Sequence, residues 1–357
     1  MRRLSSLLVP AVMAVAACRG ETPRDEALFR GVYVSPPIEK PDFTFTDFNG
    51  QPFSFRLKTV GKVALLFFGY THCPDVCPLH AANVAAVLKQ MPFEEREKIQ
   101  FIFVTTDPER DTPERLKAWL GAFDRDFIGL AASPEELARV QRELRIAAAR
   151  KEYLPGADSS AYLVGHAAQV FAFGLDGFAR TEYPMGVRQE DWAKDLPRLA
   201  RGELPPEPSA ALPGKDIQLV PSTTDVAGPA IRIEVAVMAA PPTTSEASVY
   251  LVLHNAGAED TLVGVSSPEA KSAMVHVTES NGGQQVMRMR DRVVIGKGAT
   301  VSFFPGAMHL MLTDLTRKPA AGESFPLRLQ FARAGEFAIA PLVVPYAELD
   351  SHLGARR

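Results

Sequence analysis

Hydrophobic residues follow two rhythms along this 357-residue chain, and the change between them comes just after residue 200. In the first rhythm, short apolar runs alternate with segments of helical period. Val63 to Tyr70 and Ile99 to Thr105 are nearly continuous apolar stretches, the pattern of strands buried on both faces. Helices are predicted from about Pro78 to Met91, from Thr112-Pro113 to about Phe123, from Pro134 to Arg145 and from Gln189 to Arg201. Thr112 followed by Pro113 supplies an N-cap and a proline at the first helical position. Residues 42–57 alternate around Asn49-Gly50, a hairpin signal. Phe127 to Ala131 reads as a further strand, and residues 161–183 read as two strands about the turn Asp176-Gly177. Strands alternating with helices predict an α/β sheet closed by an antiparallel hairpin.

In the second rhythm only short strand-like runs occur: Ile231 to Met238, Ser248 to His254, Thr261 to Val265, Met274 to Glu279, Gln285 to Met289, Thr300 to Phe304, Met308 to Leu312 and Pro326 to Phe331. Gly, Pro and Asn separate them and no amphipathic helix stands out, which predicts an all-β sandwich or barrel. Between the rhythms, Gly202 to Asp216 holds Pro205, Pro206, Pro208 and Pro213, the composition of a semi-rigid linker. Extended as polyproline II at about 3.1 Å per residue it reaches roughly 45 Å. The predicted organisation is a leader over 1–17, a tether over 18–40, an α/β domain over 41–201, the linker over 202–216, a β domain over 217–345 and a tail over 346–357.

The leader changes the picture of where the chain works. Arg2 and Arg3 precede an apolar run from Leu4 to Ala17, too short for a membrane span, and Ala16-Ala17 then meet Cys18. Val15-Ala16-Ala17-Cys18 resembles a bacterial lipobox, which implies lipidation at Cys18, a membrane attachment through lipid and a place in the bacterial cell envelope facing the periplasm or extracytoplasmic space. Of three cysteines, Cys18 would then be accounted for, leaving Cys73 and Cys77 as a pair. Charge adds an exclusion. The net charge is −3, falling to −5 once Arg2 and Arg3 leave with the leader, too acidic for a phosphate-backbone binder, so nucleic acid is not an expected partner.

Cys73-Pro74-Asp75-Val76-Cys77 lies between a buried strand and a helix. Thiolates prefer soft metals such as Cu(I), and a helix start favours the thiolate. If both residues join the first helical turn, their i, i+4 spacing puts the sulfurs on one face, about 5–6 Å apart at Cβ. The same pair can close a disulfide and act as a redox couple. Gly69-Tyr70-Thr71-His72-Cys73-Pro74-Asp75-Val76-Cys77-Pro78 resembles the signature of the Sco/SenC family, and Asp107-Pro108-Glu109-Arg110-Asp111-Thr112-Pro113 resembles its second motif. The resemblance covers about residues 41–200. It implies a thioredoxin-like fold, copper held by Cys73, Cys77 and a distant histidine, and service to the CuA centre of cytochrome c oxidase. The histidine it implies is His166, in Tyr162-Leu163-Val164-Gly165-His166-Ala167, where Gly165 and Ala167 stand at positions that family commonly fills with Asp and Ser. His72 is the competing nitrogen donor, and Asp107 a supporting residue.

The β half is rich in methionine and histidine: His276, Met287 and Met289, then His309-Leu310-Met311. Residues i and i+2 of a strand share a face, so His309 and Met311 can present together. Thioether and imidazole suit Cu(I), although isolated methionines usually just fill cores. The spacing H-x10-M-x21-H-x-M, met by His276, Met287, His309 and Met311, resembles the periplasmic PCuAC copper chaperone family, as do the surroundings Asp260 to Pro268 and Pro305-Gly306. That resemblance covers about residues 217–345 and implies a cupredoxin-like fold. By flanking residues Met289 is the competing ligand. The expected function is a copper metallochaperone with the CuA-bearing oxidase subunit as partner and a thiol reductant to keep Cys73 and Cys77 reduced. The alternatives are a thiol–disulfide oxidoreductase acting on the CuA cysteines and a copper buffer or stress sensor. No P-loop, G-x-S-x-G or zinc-protease motif is present to suggest another enzyme class.

Overall fold

A computed structural model describes residues 29–153, 162–207, 231–281 and 283–353. The leader, Cys18 and most of the proline-rich linker lie outside the described residues. Among those described, no helix is long and apolar enough to cross a membrane.

The first domain is built on a sheet in which Val63–Gly69 lies between Ile99–Thr105, parallel to it, and Val170–Phe173, antiparallel to it. Phe178–Tyr183 pairs with Val170–Phe173 on the outside. The helix Val76–Gln90 makes the crossover between the parallel strands, and Gln189–Ala200 follows the antiparallel pair. This βαβ unit followed by ββα is the thioredoxin-like arrangement. The period of two along Val63–Gly69 feeds two cores. Leu65 and Phe67 pack with Ala81, Val84, Trp119, Trp192 and Leu196, while Ala64, Leu66 and Phe68 pack with Phe43, Phe55, Leu137 and Val140. Both faces are covered, which is why this strand reads as an unbroken apolar run.

Two stretches differ from expectation. Residues 32–39, read as tether, form a strand, Val32–Glu39, on the edge of the sheet against Phe178–Tyr183. The buried Asp195 carboxylate anchors its start by accepting from the backbone N–H groups of Arg30 and Gly31. An edge strand with half its residues facing water carries no continuous apolar signal. Arg150–Tyr153 pairs with Tyr162–Gly165, a hairpin arm hidden in the sequence by its charged composition.

The second domain is a β-sandwich. A seven-stranded sheet and a four-stranded sheet enclose Leu251, Leu253, Val275, Leu310, Leu312, Leu329 and Phe331. Alternation along the strands decides the rest. Ala270–Asn281 and Met308–Leu315 turn Val275, Leu310 and Leu312 inward, so Met274, His276, His309 and Met311 lie on the opposite face. In a lone sandwich that face would meet water; here the first domain covers it.

The presumed tail is part of this cover. Residues 346–353 form a short 3-10 turn and the helix Leu349–Leu353, and Tyr346, Leu349 and Leu353 pack against Leu79 and Ala82 of the first domain. Eight residues are too few to register a helical period in the sequence.

Candidate metal centres

The strand Val63–Gly69 delivers the chain into a tight turn, and Cys73 N–H donates back to the Tyr70 carbonyl. Cys77 lies in the first turn of Val76–Gln90, whereas Cys73 stays outside the helix, so the i, i+4 face imagined from the sequence does not form. The thiols converge through the turn instead. Gly69 allows it: a Cβ there would meet Cys77 Sγ at 2.6 Å. Asp111, buried, braces the turn by accepting from Thr71 N–H at 2.9 Å, Thr71 Oγ1 and Thr105 Oγ1.

His166 follows the strand Tyr162–Gly165 and completes the group. The ligand atoms of Cys73, Cys77 and His166 all lie within 4.8 Å of one another, and all three residues are buried. Cys77 Sγ is 3.6 Å from His166 Nε2, while His166 Nδ1 is 2.9 Å from the Ala167 carbonyl. A carbonyl only accepts, so Nδ1 carries the proton and Nε2 turns its lone pair toward the sulfurs. The two thiols are unlike. Burial raises the Cys73 thiol, but the hydrogen bond from Cys77 and the proximity of His166 outweigh it and hold it well below the ordinary thiol range. Burial and the neighbouring Cys73 push the Cys77 thiol well above it.

The other candidates of this domain fall into place around the centre. His72 turns its Nδ1 to Asp111, 3.5 Å away, and is not among the residues converging on the thiols. Asp107 accepts from Tyr162 Oη at 2.7 Å and from Arg110 Nε, so it braces the strand that carries His166 and does not face the sulfurs itself.

On the outer face of the sandwich, His276 lies directly opposite His309 on one side and Met289 on the other, and Met274 opposite Met311. Met287 sits one place along the same face, opposite Thr278. The imidazoles are 5.9 Å apart and fully buried. Among the described residues, neither nitrogen of His276 nor Nε2 of His309 has a hydrogen-bond partner. Burial, aided by His309, lowers the His276 imidazole to about 3, so it is held neutral. Imidazole nitrogens without hydrogen-bond partners beside thioethers are a donor set for a soft ion such as Cu(I). The two competing methionines separate by exposure. Met289 is 42% exposed, whereas Met287 and Met311 are buried in the cluster that holds Tyr70, Cys73 and Cys77. Met274 packs against the same cluster and was not singled out in the sequence, although it stands two residues before His276.

The two centres face one another. His166 forms an antiparallel bridge with Gln285: each residue's N–H donates to the other's carbonyl, at 3.3 and 2.9 Å. Gly165 has a reason within this chain, since a Cβ there would lie 3.3 Å from Val286 Cγ2. Pro74 and Asp75, between the two cysteines, are gripped from the second domain. Ser248 Oγ and Tyr346 Oη donate to the Pro74 carbonyl at 2.7 and 3.2 Å. Tyr250 Oη and Gly306 N–H donate to the Asp75 carboxylate at 2.8 and 2.7 Å. Asp75 occupies the N-cap of its helix but makes no side-chain cap bond, its carboxylate being turned across the interface. None of these contacts carries a local sequence signal.

Two family profiles match separate parts of the chain. The family profile described as SCO1/SenC matches residues 34–201. One described as "Putative lipoprotein LpqE-like" matches residues 231–344. A protein of Stutzerimonas stutzeri named "Putative copper-binding protein" is 32% identical over 164 residues, 46% of this chain and 78% of that protein. "Protein SCO2, mitochondrial" of Saccharomyces cerevisiae is 33% identical over 135 residues, 38% of this chain, which spans only 43% of that relative. A solved structure titled "Copper-bound PCuAC domain from PmoF2" is 25% identical, with a TM-score of 0.29, over 34% of this chain and 99% of that one.

Proposed function

This chain belongs, through its first domain, to the SCO1/SenC family, and we propose that it is a copper metallochaperone carrying Cu(I) at two centres for assembly of the CuA site of cytochrome c oxidase. The observation that carries this reading is the buried convergence of Cys73, Cys77 and His166 within 4.8 Å. Two sulfurs and one imidazole nitrogen form a soft, low-coordinate donor set suited to Cu(I) as cargo. Cys73, the more acidic thiol, is the first to accept the ion. His166 is held to present Nε2 by the Ala167 carbonyl, and Asp107 and Asp111 brace the two segments that carry the donors. His276, His309, Met311 and Met287 form the second donor set, which contains no thiol to oxidise. The CuA-bearing oxidase subunit is the receiving partner.

Copper stoichiometry of the reduced full chain tests this: two ions per chain are expected, one after Cys73→Ser with Cys77→Ser, and one after His276→Leu with His309→Leu. Two tightly bound ions in the double cysteine variant would refute the thiol centre. Formation of the CuA absorption on mixing with the apo oxidase subunit tests delivery. We further propose a lipid anchor at Cys18 in the bacterial envelope, supported by the lipobox-like run. A single acyl chain anchors only marginally, whereas a lipoprotein terminus carries several. Cys18→Ser is expected to abolish fatty-acid labelling, and unchanged labelling would refute the anchor.

The inequality of the thiols favours a second activity at the same centre. The Cys73 thiolate attacks a partner disulfide, and Cys77 then displaces the partner from the mixed disulfide. The partner leaves as a dithiol and Cys73–Cys77 as a disulfide. Failure of the reduced chain to reduce an oxidised CuA subunit would remove it.

A further inference from the structure

We infer that the face between the domains is a transfer junction: Cu(I) passes from the Met/His centre to the thiol centre inside the closed chain, and Asp75 is the positioning residue that aligns the two. The inference rests on the copper reading above and adds a route to it.

The thioethers of one donor set pack against the core that holds the thiols of the other. Met287 and Met311 pack in the cluster that holds Cys73 and Cys77. The His166–Gln285 bridge places the thiol-domain histidine two residues from Met287 across a paired backbone. A linker that only co-localised two independent modules would have no need of such pairing.

Asp75 ties the chemistry of one centre to the other. Its Oδ1 accepts from Tyr250 Oη; its Oδ2 accepts from Gly306 N–H and lies 3.6 Å from His309 Nδ1. The Ala307 carbonyl faces the same nitrogen at 3.3 Å. Both neighbours are acceptors and hold the Nδ1 edge of the ring, which leaves Nε2, without a hydrogen-bond partner among the described residues, for the ion. A residue standing between Cys73 and Cys77 thereby orients a donor of the other domain. Ser248 and Tyr346, on the Pro74 carbonyl, keep the cysteine turn seated while this happens.

In the transfer, bonds from the ion to imidazole nitrogen and thioether sulfur break as bonds to the Cys73 and Cys77 sulfurs and His166 Nε2 form. The Cys77 thiol gives its proton to the buffer. The ion stays Cu(I) and no electron moves. Thiolates outbid thioethers for Cu(I), which sets the direction.

The test uses the full chain. With Cys73 and Cys77 oxidised to a disulfide, one equivalent of Cu(I) is loaded onto the Met/His centre. A phosphine reductant then frees the thiols, and the ultraviolet Cu(I)–thiolate absorption is followed with and without bathocuproine disulfonate. The expected result is a first-order rise whose rate does not change with chain concentration and whose yield survives the chelator. Tyr250→Phe and Ser248→Ala, singly and together, leave every donor in place and are expected to cut the chelator-resistant yield, the pair by about tenfold or more. A rate proportional to chain concentration, complete interception by the chelator, or a yield unmoved in all three variants would overturn the junction. If the oxidised chain binds one ion and the reduced chain two, yet no transfer occurs, the junction falls while the copper reading stands. If the oxidised chain binds none, the Met/His centre falls and the junction with it.

Discussion

Placing the family's customary Asp at Gly165 is expected to open this molecule without unfolding it. Gly165 ends the strand that carries His166, and its Cα is covered by Val286 of the second domain. A Cβ there would stand 3.3 Å from Val286 Cγ2 and 3.3 Å from Glu152 Oε1. A carboxylate added beyond that Cβ would be pressed under an apolar side chain and beside a second carboxylate. At a separation near 4 Å and an effective dielectric of about 20, two like charges repel by about 4 kcal/mol; in water the figure falls to about 1 kcal/mol. Opening the interface recovers the difference, about 3 kcal/mol, and rehydrates the new charge. Against it stand junction hydrogen bonds worth about 1 kcal/mol each, more where the Asp75 carboxylate accepts. The open-to-closed ratio is therefore expected to rise about a hundredfold. Hydrogen exchange reads this directly, because the His166 and Gln285 amides are bonded to each other's residues across the interface. Their protection should fall about a hundredfold, while the amides of Val63–Gly69 keep theirs and the reduced chain still binds copper through Cys73 and Cys77. Native-like protection at His166 and Gln285 would refute the argument that Gly165 is kept small by the second domain.

Three further outcomes are expected. Gly69→Ala puts a methyl 2.6 Å from Cys77 Sγ and 2.9 Å from Phe103, so it should cost about 1–3 kcal/mol in denaturant unfolding and weaken the thiol centre while sparing the Met/His centre; unaltered copper affinity at Cys73 and Cys77 would contradict it. His276→Leu removes two unpartnered buried nitrogens and should stabilise the metal-free chain by about 1–3 kcal/mol while deleting one copper, so a destabilised metal-free variant would argue for a structural histidine. Glu246, half-buried at the junction 3.8 Å from Arg115, has its carboxyl pushed up to about 8 by desolvation, against the pull of Arg115. Below the ordinary carboxylate value both folded and unfolded chains hold this proton; above it only the folded chain does, so its contribution is lost as pH climbs toward 8. Glu246→Gln should match the native chain near pH 4 and become the more stable by up to about 1.4 kcal/mol per pH unit between pH 5 and 8, read as thermal midpoints; parallel pH profiles would count against it.

Much of the first domain was legible because its strands are buried on both faces and its helices are capped by local residues such as Thr112. The thiol donors were legible by resemblance, and Cys73, Cys77 and His166 meet in space although 89 residues separate Cys77 from His166. The edge strand over 32–39 and the closing helix over 349–353 were not, since one is half exposed and the other too short to show a period. Met287 and Met289 were equivalent in sequence, both on the His276 face, and only the packing of the first domain distinguishes a buried thioether from one that is 42% exposed.

What the sequence determined by itself is local: a period of two or of 3.6, a cap, a proline-rich break, and the soft donors at their spacing. What the tertiary structure alone decided is that the two donor sets share one interface. The contacts responsible, Asp75 with Tyr250 and Gly306, Pro74 with Ser248 and Tyr346, and His166 with Gln285, join residues more than a hundred positions apart. A hydrogen bond between distant residues leaves no periodicity, and an Asp at an N-cap reads the same in sequence whether it caps its own helix or reaches into another domain. Only the burial of both faces together shows which of the two it does.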